Sequence, residues 1–270
     1  MSLSQDGNII AIGAPLTDDT MGQVVVYRYD NSTGYRQWTQ LGQTIFAQER
    51  YPNDMFGADL ELSHDGQILA IGQRSHDKSK QGLESRGRIA IYRLTNQSWE
   101  LMGGEIIGEE NSDAFGRSVG LSADGNVVAG GINGDYPHGT SRSNRTAHAR
   151  AFAFNKGNGE WGQLGGVIIG NASLVGGNVL NKVAMNAEGN RIALTTQRIR
   201  GAGGGYSQVF EYDKDIAEWR PLGGVIDQSW QTDEHGGTIA LSADGNIVIV
   251  GAPADTQDGT ARLYRLVDNK

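Results

Sequence analysis

One six-residue stretch, Leu-Ser-Ala-Asp-Gly-Asn, occurs twice in this chain of 270 residues, at 121–126 and at 241–246. Three close variants stand at 3–8, 62–67 and 185–190. The acidic residues of the five copies follow one another at intervals of 56 to 64 residues: Asp6, Asp65, Asp124, Glu188 and Asp244. A period of this length is the signature of a repeat architecture, in which one supersecondary unit is copied along the chain.

Each repeat has the sequence pattern of four strands. Apolar residues alternate before the hexapeptide, as in 56–63, and an almost continuous apolar run follows it, as in 247–252. A third segment alternates again, as in 24–30, and a fourth is polar and carries Trp-x-x-Leu/Met-Gly, as in 38–42. Apolar content therefore falls from the second strand to the fourth, which is expected when only the inner strands are covered on both faces.

The hexapeptide itself predicts the hairpin between the first and second strands, because Asp-Gly favours a tight turn. Glu188 refines this prediction, since glutamate is poorly suited to positive φ. We therefore expect a type I turn closed by a left-handed glycine rather than a type I′ turn.

The tryptophans of the fourth strands recur once per repeat, at Trp38, Trp99, Trp161 and Trp219. Tryptophans in such a row resemble a carbohydrate-stacking platform. Recurrence at one fixed place in each unit instead favours packing of the indole against the neighbouring unit.

Tandem four-stranded units without a helical period predict an all-β fold, a β-propeller of four-stranded blades. We expect one domain over residues 1–270, with five blades by direct repeat count. The alternative is a segment of a six- or seven-bladed array. The repeat units have these approximate bounds: 1–61, 62–120, 121–184, 185–240 and 241–270.

Residues 113–131, 9–15 and 247–253 resemble FG-GAP repeats, which build the propeller of integrin alpha subunits. The resemblance implies a binding or adhesion module, extracellular or at the cell surface. Many members of that family carry an aspartate-rich calcium loop. Each hairpin here offers one carboxylate, whereas calcium takes six to eight oxygen ligands. We therefore expect no calcium in the hairpins, and no cofactor.

Composition excludes several other classes of function. The formal net charge of −8 gives no electrostatic reason to expect nucleic acid as a partner. The apolar runs are far shorter than the roughly 20 residues that span a bilayer, so we expect no direct membrane insertion. The absence of cysteine excludes disulfides and thiolate chemistry.

The loops between second and third strands are the candidate binding face. The crossings are the segments that lead from the fourth strand of one blade to the first strand of the next. Because strand direction alternates within a blade, these loops and the crossings should emerge on the same side of the sheet. The loops vary in length, as binding loops on a fixed scaffold do. The candidate ligand-binding residues are Arg74, Lys78, Arg86, Arg142, Arg145, His148, Arg198 and Arg200. The crossings are acidic, at Glu109, Glu110, Asp113, Asp233 and Glu234. This mixture predicts a protein or polyanionic glycan ligand; ordinary solvated loops are the alternative.

Catalytic motifs occur only in the wrong context. Gly-Arg-Ser-Val-Gly at 116–120 fits the hydrolase elbow, but that elbow joins a strand to a helix, whereas Ser118 falls in a predicted first strand. The five histidines are scattered and show no metal-ligand spacing. We therefore expect no enzymatic activity and no catalytic or metal-binding residues. The alternative is a hydrolase or lyase with its active site at the central channel.

Overall fold

The computed structural model describes residues 1–30, 34, 36–75, 85–110, 113–132, 148–169, 178–198, 206–227, 237–252 and 258–267. The chain divides into two compact units. The first is Met1–Val128 with Ala153–Gly162, and the second is Ala129–Phe152 with Gln163–Lys270.

The described strands form five antiparallel sheets, which are the blades of a five-bladed β-propeller. The first sheet contains β1 (Ser2–Leu3), β2 (Ile9–Ala14), β3 (Gln23–Asp30) and β4 (Gln37–Gln40). The second contains β5 (Phe56–Leu62), β6 (Ile68–Gln73), β7 (Arg88–Thr95) and β8 (Ser98–Leu101), with β9 (Ile106–Ile107) beside β7. The third contains β10 (Val119–Leu121), β11 (Val127–Ile132), β12 (His148–Asn155) and β13 (Glu160–Gln163), with β14 (Ile168–Ile169) beside β12. The fourth contains β15 (Asn178–Met185), β16 (Arg191–Arg198), β17 (Tyr206–Asp213) and β18 (Glu218–Asp227).

The fifth sheet has three described strands, β19 (Thr238–Leu241), β20 (Ile247–Ala252) and β21 (Thr260–Arg265). In all five sheets the strands follow in sequence order, so each blade is a meander. The sequence-based prediction of an all-β propeller with four-stranded blades is confirmed. The described residues contain one short turn, Thr17–Thr20, with helix-like hydrogen bonds but with non-helical φ and ψ at Asp18 and Asp19. No helix among the described residues is long and apolar enough to cross a membrane.

Each hexapeptide joins the first strand of its blade to the second. In the first copy the N–H of Gly7 donates to the carbonyl of Ser4 at 2.9 Å, which is the bond of a type I turn. Gly7 has a φ of 71°, and the equivalent glycines of the other copies lie between 67° and 72°. Positive φ falls on the glycine and not on the acidic residue before it. The predicted type I turn is therefore confirmed.

Side chains of the same hexapeptide hold this turn. The Asp6 carboxylate accepts hydrogen bonds from the Ser4 hydroxyl at 2.6 Å and from the backbone and side-chain amides of Asn8 at 3.0 and 2.9 Å. The Ser4 hydroxyl in turn accepts from the N–H of Ile9 at 2.9 Å. Led by the serine hydroxyl, these bonds lower the pKa of Asp6, and in the fifth copy that of Asp244, to about 2. Both carboxylate oxygens of Asp6 thus serve the turn.

The hexapeptide also connects neighbouring blades. In the first unit the N–H of Gln5 donates to the carbonyl of His64, and the N–H of His64 donates to the carbonyl of Ala123, both at 2.9 Å. In the second unit the N–H of Ala187 donates to the carbonyl of Ala243, also at 2.9 Å. Because only backbone groups are used, the residue at this position is free to vary.

The tryptophans form a second connection between blades. In the first unit the indole N–H of Trp99 donates to the carbonyl of Leu41 at 2.9 Å, and that of Trp161 to the carbonyl of Met102 at 2.7 Å. In the second unit Trp219 donates to the carbonyl of Leu164 at 2.8 Å. The predicted packing against the neighbouring blade is confirmed for these three tryptophans, whereas Trp38 is 46% exposed and lies against Tyr29 of its own blade.

Apolar strands supply the core of each unit. In the first, Val24, Phe56 and Leu69 are fully buried in one cluster with Trp99. In the second, Leu194 and Phe210 are buried with Trp219. The nearly continuous apolarity of the second strands has its cause here, since β6 is buried along its whole length.

Replacing Trp99 by Phe tests the indole bond. The change keeps an aromatic ring but leaves the buried carbonyl of Leu41 without its donor, so we expect a loss of about 1–3 kcal/mol in the free energy of unfolding. The matched control is Trp38→Phe, because Trp38 is 46% exposed whereas Trp99 is 3% exposed. Urea denaturation of both variants should show a large change for Trp99 and a small one for Trp38. Equal changes would contradict the importance of the bond.

The hairpin carboxylates predict acid sensitivity. A carboxyl group whose pKa is lower in the folded state stabilises that state above its ordinary pKa, and the contribution is lost as pH falls through the folded value. For Asp6 and Asp244 this window runs from 3.8 down to about 2. We expect the unfolding free energy of the unmodified chain to fall more steeply across this window than that of the double variant Asp6→Asn, Asp244→Asn. Parallel curves in denaturation measured at each pH would refute the assignment.

Candidate functional site

The candidate binding residues divide according to what the structure describes. The side chains of Arg74, Arg86 and His148 are described. Arg198 is described as part of a strand only. The following predicted residues lie outside the described residues: Lys78, Arg142, Arg145, Arg200, Asp233 and Glu234.

Arg74 and Arg86 lie at the two ends of one loop in the second blade. Gln73, the last residue of β6, pairs with Arg88, the first residue of β7. Arg74 follows the first of these strands and is exposed, while Arg86 precedes the second and is half-buried. The structure therefore brings these two predicted residues to the base of the same loop.

The acidic crossing to the third blade lies beside this loop. The N–H of Ala114 donates to the carbonyl of Ser85, and the N–H of Phe115 to the carbonyl of Arg86, both at 2.9 Å. The N–H of Gly108 donates to the carbonyl of Gly87 at 3.0 Å. The loop and the crossing therefore emerge on the same side of the sheet, as the alternation of strand direction predicts. Glu109 and Glu110 directly follow Gly108, so the crossing that carries them lies beside Arg86.

The first blade repeats this arrangement with side chains that sequence reasoning did not select. The N–H of Met55 donates to the carbonyl of Thr20 at 2.8 Å, which ties the crossing to the loop. Arg50 forms an ion pair with Asp18 at 2.6 Å, and its guanidinium lies 4.6 Å from the centre of the Phe46 ring. Phe46 is 43% exposed, so an aromatic surface accompanies the charges.

The loop of the first blade is held in a strained conformation. Asp18, Asp19 and Thr20 have φ values of 53°, 52° and 62°, three consecutive left-handed residues without a glycine. Each such residue costs roughly 1–3 kcal/mol and persists only where the surrounding structure over-determines it. Strain of this kind concentrates at ligand-binding sites, which makes this loop the centre of the candidate site.

A buried charged network supports the loop of the second blade. The Arg88 side chain, 1% exposed, donates from Nη1 to Glu105 at 2.6 Å, from Nε to Gln73 at 2.8 Å and from Nη2 to the carbonyl of Glu49 at 2.7 Å. Burial, assisted by the charge of Glu105, raises the pKa of the nearby Tyr92 to about 12. Arg88 of β7 thereby connects β6 with the two crossings that carry Glu49 and Glu105.

Two buried aspartates shape the crossings. Asp54 accepts the N–H of Tyr51 at 2.9 Å, and Asp113 accepts the N–H of Glu110 at 2.8 Å. Asp113 is 4% exposed, so it is a turn-forming residue and not an acidic group on the surface. The signal that identifies this role is Asp-x-Phe-Gly, repeated at 54–57 and 113–116.

His148 and Arg198 lie in strands rather than in variable loops. His148 is the first residue of β12, half-buried and paired with Ile169, at the position that Arg88 occupies in β7. Arg198 is the last residue of β16 and pairs with Asn178. His148 and Arg198 therefore belong to strands that extend further than their apolar content indicates.

The described part of the site contains acidic, basic and aromatic groups. Across the described ranges, no three side chains of His, Asp or Glu come together in a way that could hold a metal ion. Ser118, the serine of the hydrolase-like motif, is fully buried just before β10.

Comparison with known proteins identifies the fold alone. No protein-family model and no curated protein matches the chain. Among solved structures, the chain is similar to TolB from Acinetobacter baumannii, with 14% identity and a TM-score of 0.50 over 98% of this chain and 51% of that one. It is similar to the hydrazine synthase of Kuenenia stuttgartiensis, with 14% identity and a TM-score of 0.57 over 98% of this chain and 63% of that one. A protein from Lactobacillus plantarum matches with 11% identity and a TM-score of 0.51 over 98% of this chain and 82% of that one.

The chain spans about half the length of the TolB chain and less than two thirds of the hydrazine synthase chain. The FG-GAP assignment stays a prediction from resemblance.

Removal of Arg88 tests the support of the site. Arg88→Met leaves the Glu105 carboxylate buried without its counter-charge, which should lower the free energy of unfolding by about 3–5 kcal/mol. The double variant Arg88→Met, Glu105→Leu should recover most of the loss, because neither charge then remains buried. Arg74→Met is the control and should change stability by no more than about 0.5 kcal/mol. Denaturation by urea measures all three, and a mild effect of Arg88→Met would contradict the network.

Proposed function

We propose that this chain is a non-catalytic protein-binding module that recognises its ligand with the loops and crossings of its first two blades. The observation that carries the proposal is the strained, charged loop at Asp18, Asp19 and Thr20, fastened to a crossing that presents Arg50 and Phe46. A surface with charges of both signs and an exposed ring suits a protein partner, because such groups give specificity and orientation.

The second blade extends this surface. Arg86 stands beside the crossing that carries Glu109 and Glu110, and Arg74 lies at the other end of the same loop. Arg88, which begins β7, forms a buried ion pair with Glu105. A fixed base reduces the entropy that is lost when loops are ordered on binding. A polyanionic glycan would use only the basic half of the surface, so a protein is the ligand proposed.

The setting of this function is also a proposal. The resemblance to FG-GAP repeats suggests adhesion, extracellular or at the cell surface. Likeness of fold to the solved structures adds nothing to this point, since one fold hosts many unrelated functions.

Neutralising the basic residues tests the surface. We expect the pair Arg74→Gln, Arg86→Gln to lose most of the partner captured by cross-linking and mass spectrometry from the source cells. The matched control, Arg28→Gln with Arg36→Gln, removes the same charge from exposed positions outside the loops and should retain capture. Melting temperatures confirm that both variants fold. Equal capture of the partner by both variants would show that Arg74 and Arg86 do not contribute to binding.

A second measurement separates the classes of ligand and of activity. The chain can be tested for binding to a sulfated polysaccharide column at physiological salt. Binding that persists there, and that is lost when Arg74 and Arg86 are replaced by Gln, would indicate a glycan ligand in place of a protein. Turnover of phosphate esters or glycans by the purified chain would favour the alternative of a hydrolase or lyase, and we expect none.

A further inference from the structure

The residue that directly follows each hexapeptide packs against the hexapeptide of the next blade. In the first blade Ile9 lies against Gly66, since a Cβ atom added to that glycine would come within 2.6 Å of the isoleucine Cδ1. In the second blade Ile68 lies against Gly125 with the same separation. Both contacts are apolar, so neither of these two junctions between successive hairpins depends on charge at this position.

Arg191 occupies the same position in the fourth blade. A Cβ atom added to Gly245 would lie 2.5 Å from Cδ of Arg191, so the aliphatic part of the arginine takes the place of the isoleucine. The guanidinium reaches further, since Nη1 donates to Oδ1 of Asn246 at 2.6 Å and to the backbone carbonyl of Asp244 at 3.3 Å. The arginine thus holds the hexapeptide of the fifth blade by polar contacts.

A carboxylate of the fourth blade holds the other side of the same guanidinium. Glu211 lies opposite Arg191 in the pairing of β16 with β17. Its Oε1 accepts from Nε at 2.8 Å and lies 2.7 Å from Nη2. The corresponding pair of the second blade is Ile68 with Arg93. An apolar residue opposite an arginine is therefore replaced, in the fourth blade, by an arginine opposite a carboxylate.

The exposure of this ion pair makes it sensitive to salt. The side chain of Arg191 is 17% exposed and that of Glu211 is 41% exposed, so dissolved ions reach the carboxylate. The distance over which charges act falls from about 10 Å at 0.1 M salt to about 3 Å at 1 M. Screening weakens the attraction between the two groups but leaves the apolar contact of Ile68 intact. The junction of the fourth and fifth blades should therefore respond to salt where the junction of the second and third does not.

We propose that the fourth and fifth blades are joined by an ionic clamp that rising ionic strength releases. The clamp consists of Arg191, Glu211, Asp244 and Asn246. When it is closed, the N–H of Ala187 bonds to the carbonyl of Ala243 at 2.9 Å. Release frees the hairpin of the fifth blade, while the strands of that blade stay packed in the apolar cluster around Ala193. The clamp uses no residue of the loops of the first two blades, so it goes beyond the proposed function and does not depend on it.

Hydrogen exchange at two equivalent amides tests the clamp. The amide of Ala187 reports on the clamp, and the amide of His64, which donates to the carbonyl of Ala123 at 2.9 Å, reports on the matching apolar junction. Raising sodium chloride from about 0.1 M to about 1 M should speed exchange at Ala187 roughly threefold or more and leave His64 nearly unchanged. An equal response of the two amides, measured by NMR on the full chain, would overturn the proposal.

A double variant removes the clamp. Arg191→Ile with Glu211→Arg gives the fourth blade the pair that the second blade has in Ile68 and Arg93. Exchange at Ala187 should then lose its dependence on salt. Unchanged exchange at His64 shows that the variant is folded. A salt response that persists at Ala187 in this folded variant would refute the assignment to Arg191 and Glu211.

The reciprocal variant transfers the clamp to the second blade. Ile68→Arg with Arg93→Glu places the same pair beside Asn126, which corresponds to Asn246. Oδ1 of Asn126 is buried and has no hydrogen-bond partner among the described residues, so an acceptor for the new guanidinium is present. Exchange at His64 should become dependent on salt, with Ala187 as the control in the same molecule. A folded variant in which His64 stays insensitive would contradict the clamp as the cause of the salt response.

Discussion

The bond from an indole N–H to a backbone carbonyl of the preceding blade is the interaction on which the packing of successive blades depends. Trp99 donates to Leu41, Trp161 to Met102 and Trp219 to Leu164. Donor and acceptor belong to two copies of the same Trp-x-x-Leu/Met-Gly motif. The tryptophan recurs because its indole N–H is the donor of this bond. The glycine recurs because it leaves space for the indole ring of the next blade. The residue directly before the glycine is Leu or Met, because only its backbone carbonyl accepts the bond.

The hexapeptide combines a turn with a second connection between blades. Its serine, aspartate and asparagine satisfy the groups of the turn, and its glycine supplies the positive φ. Its variable third residue bonds to the next hairpin through the backbone, as Gln5 does to His64. Two short motifs therefore specify both the fold of a blade and its attachment to a neighbour.

The proposed binding surface depends both on the conformation of its loops and on the charges buried beneath them. The loops of the first two blades combine strain and mixed charge with the buried network of Arg88 and Glu105, and such a surface favours orientation and specificity.

The amino-acid sequence by itself determined the repeat, the strand order, the turn type at the hairpins and the packing role of the tryptophans, because local periodicity and φ preferences encode each of these. Only the tertiary structure decided that Arg88 pairs with Glu105, that Asp113 is buried in a turn and that His148 lies in a strand. These features depend on which loop and crossing come to lie side by side. Contacts between segments that are distant along the chain carry no local signal, so they emerge only when the blades are assembled.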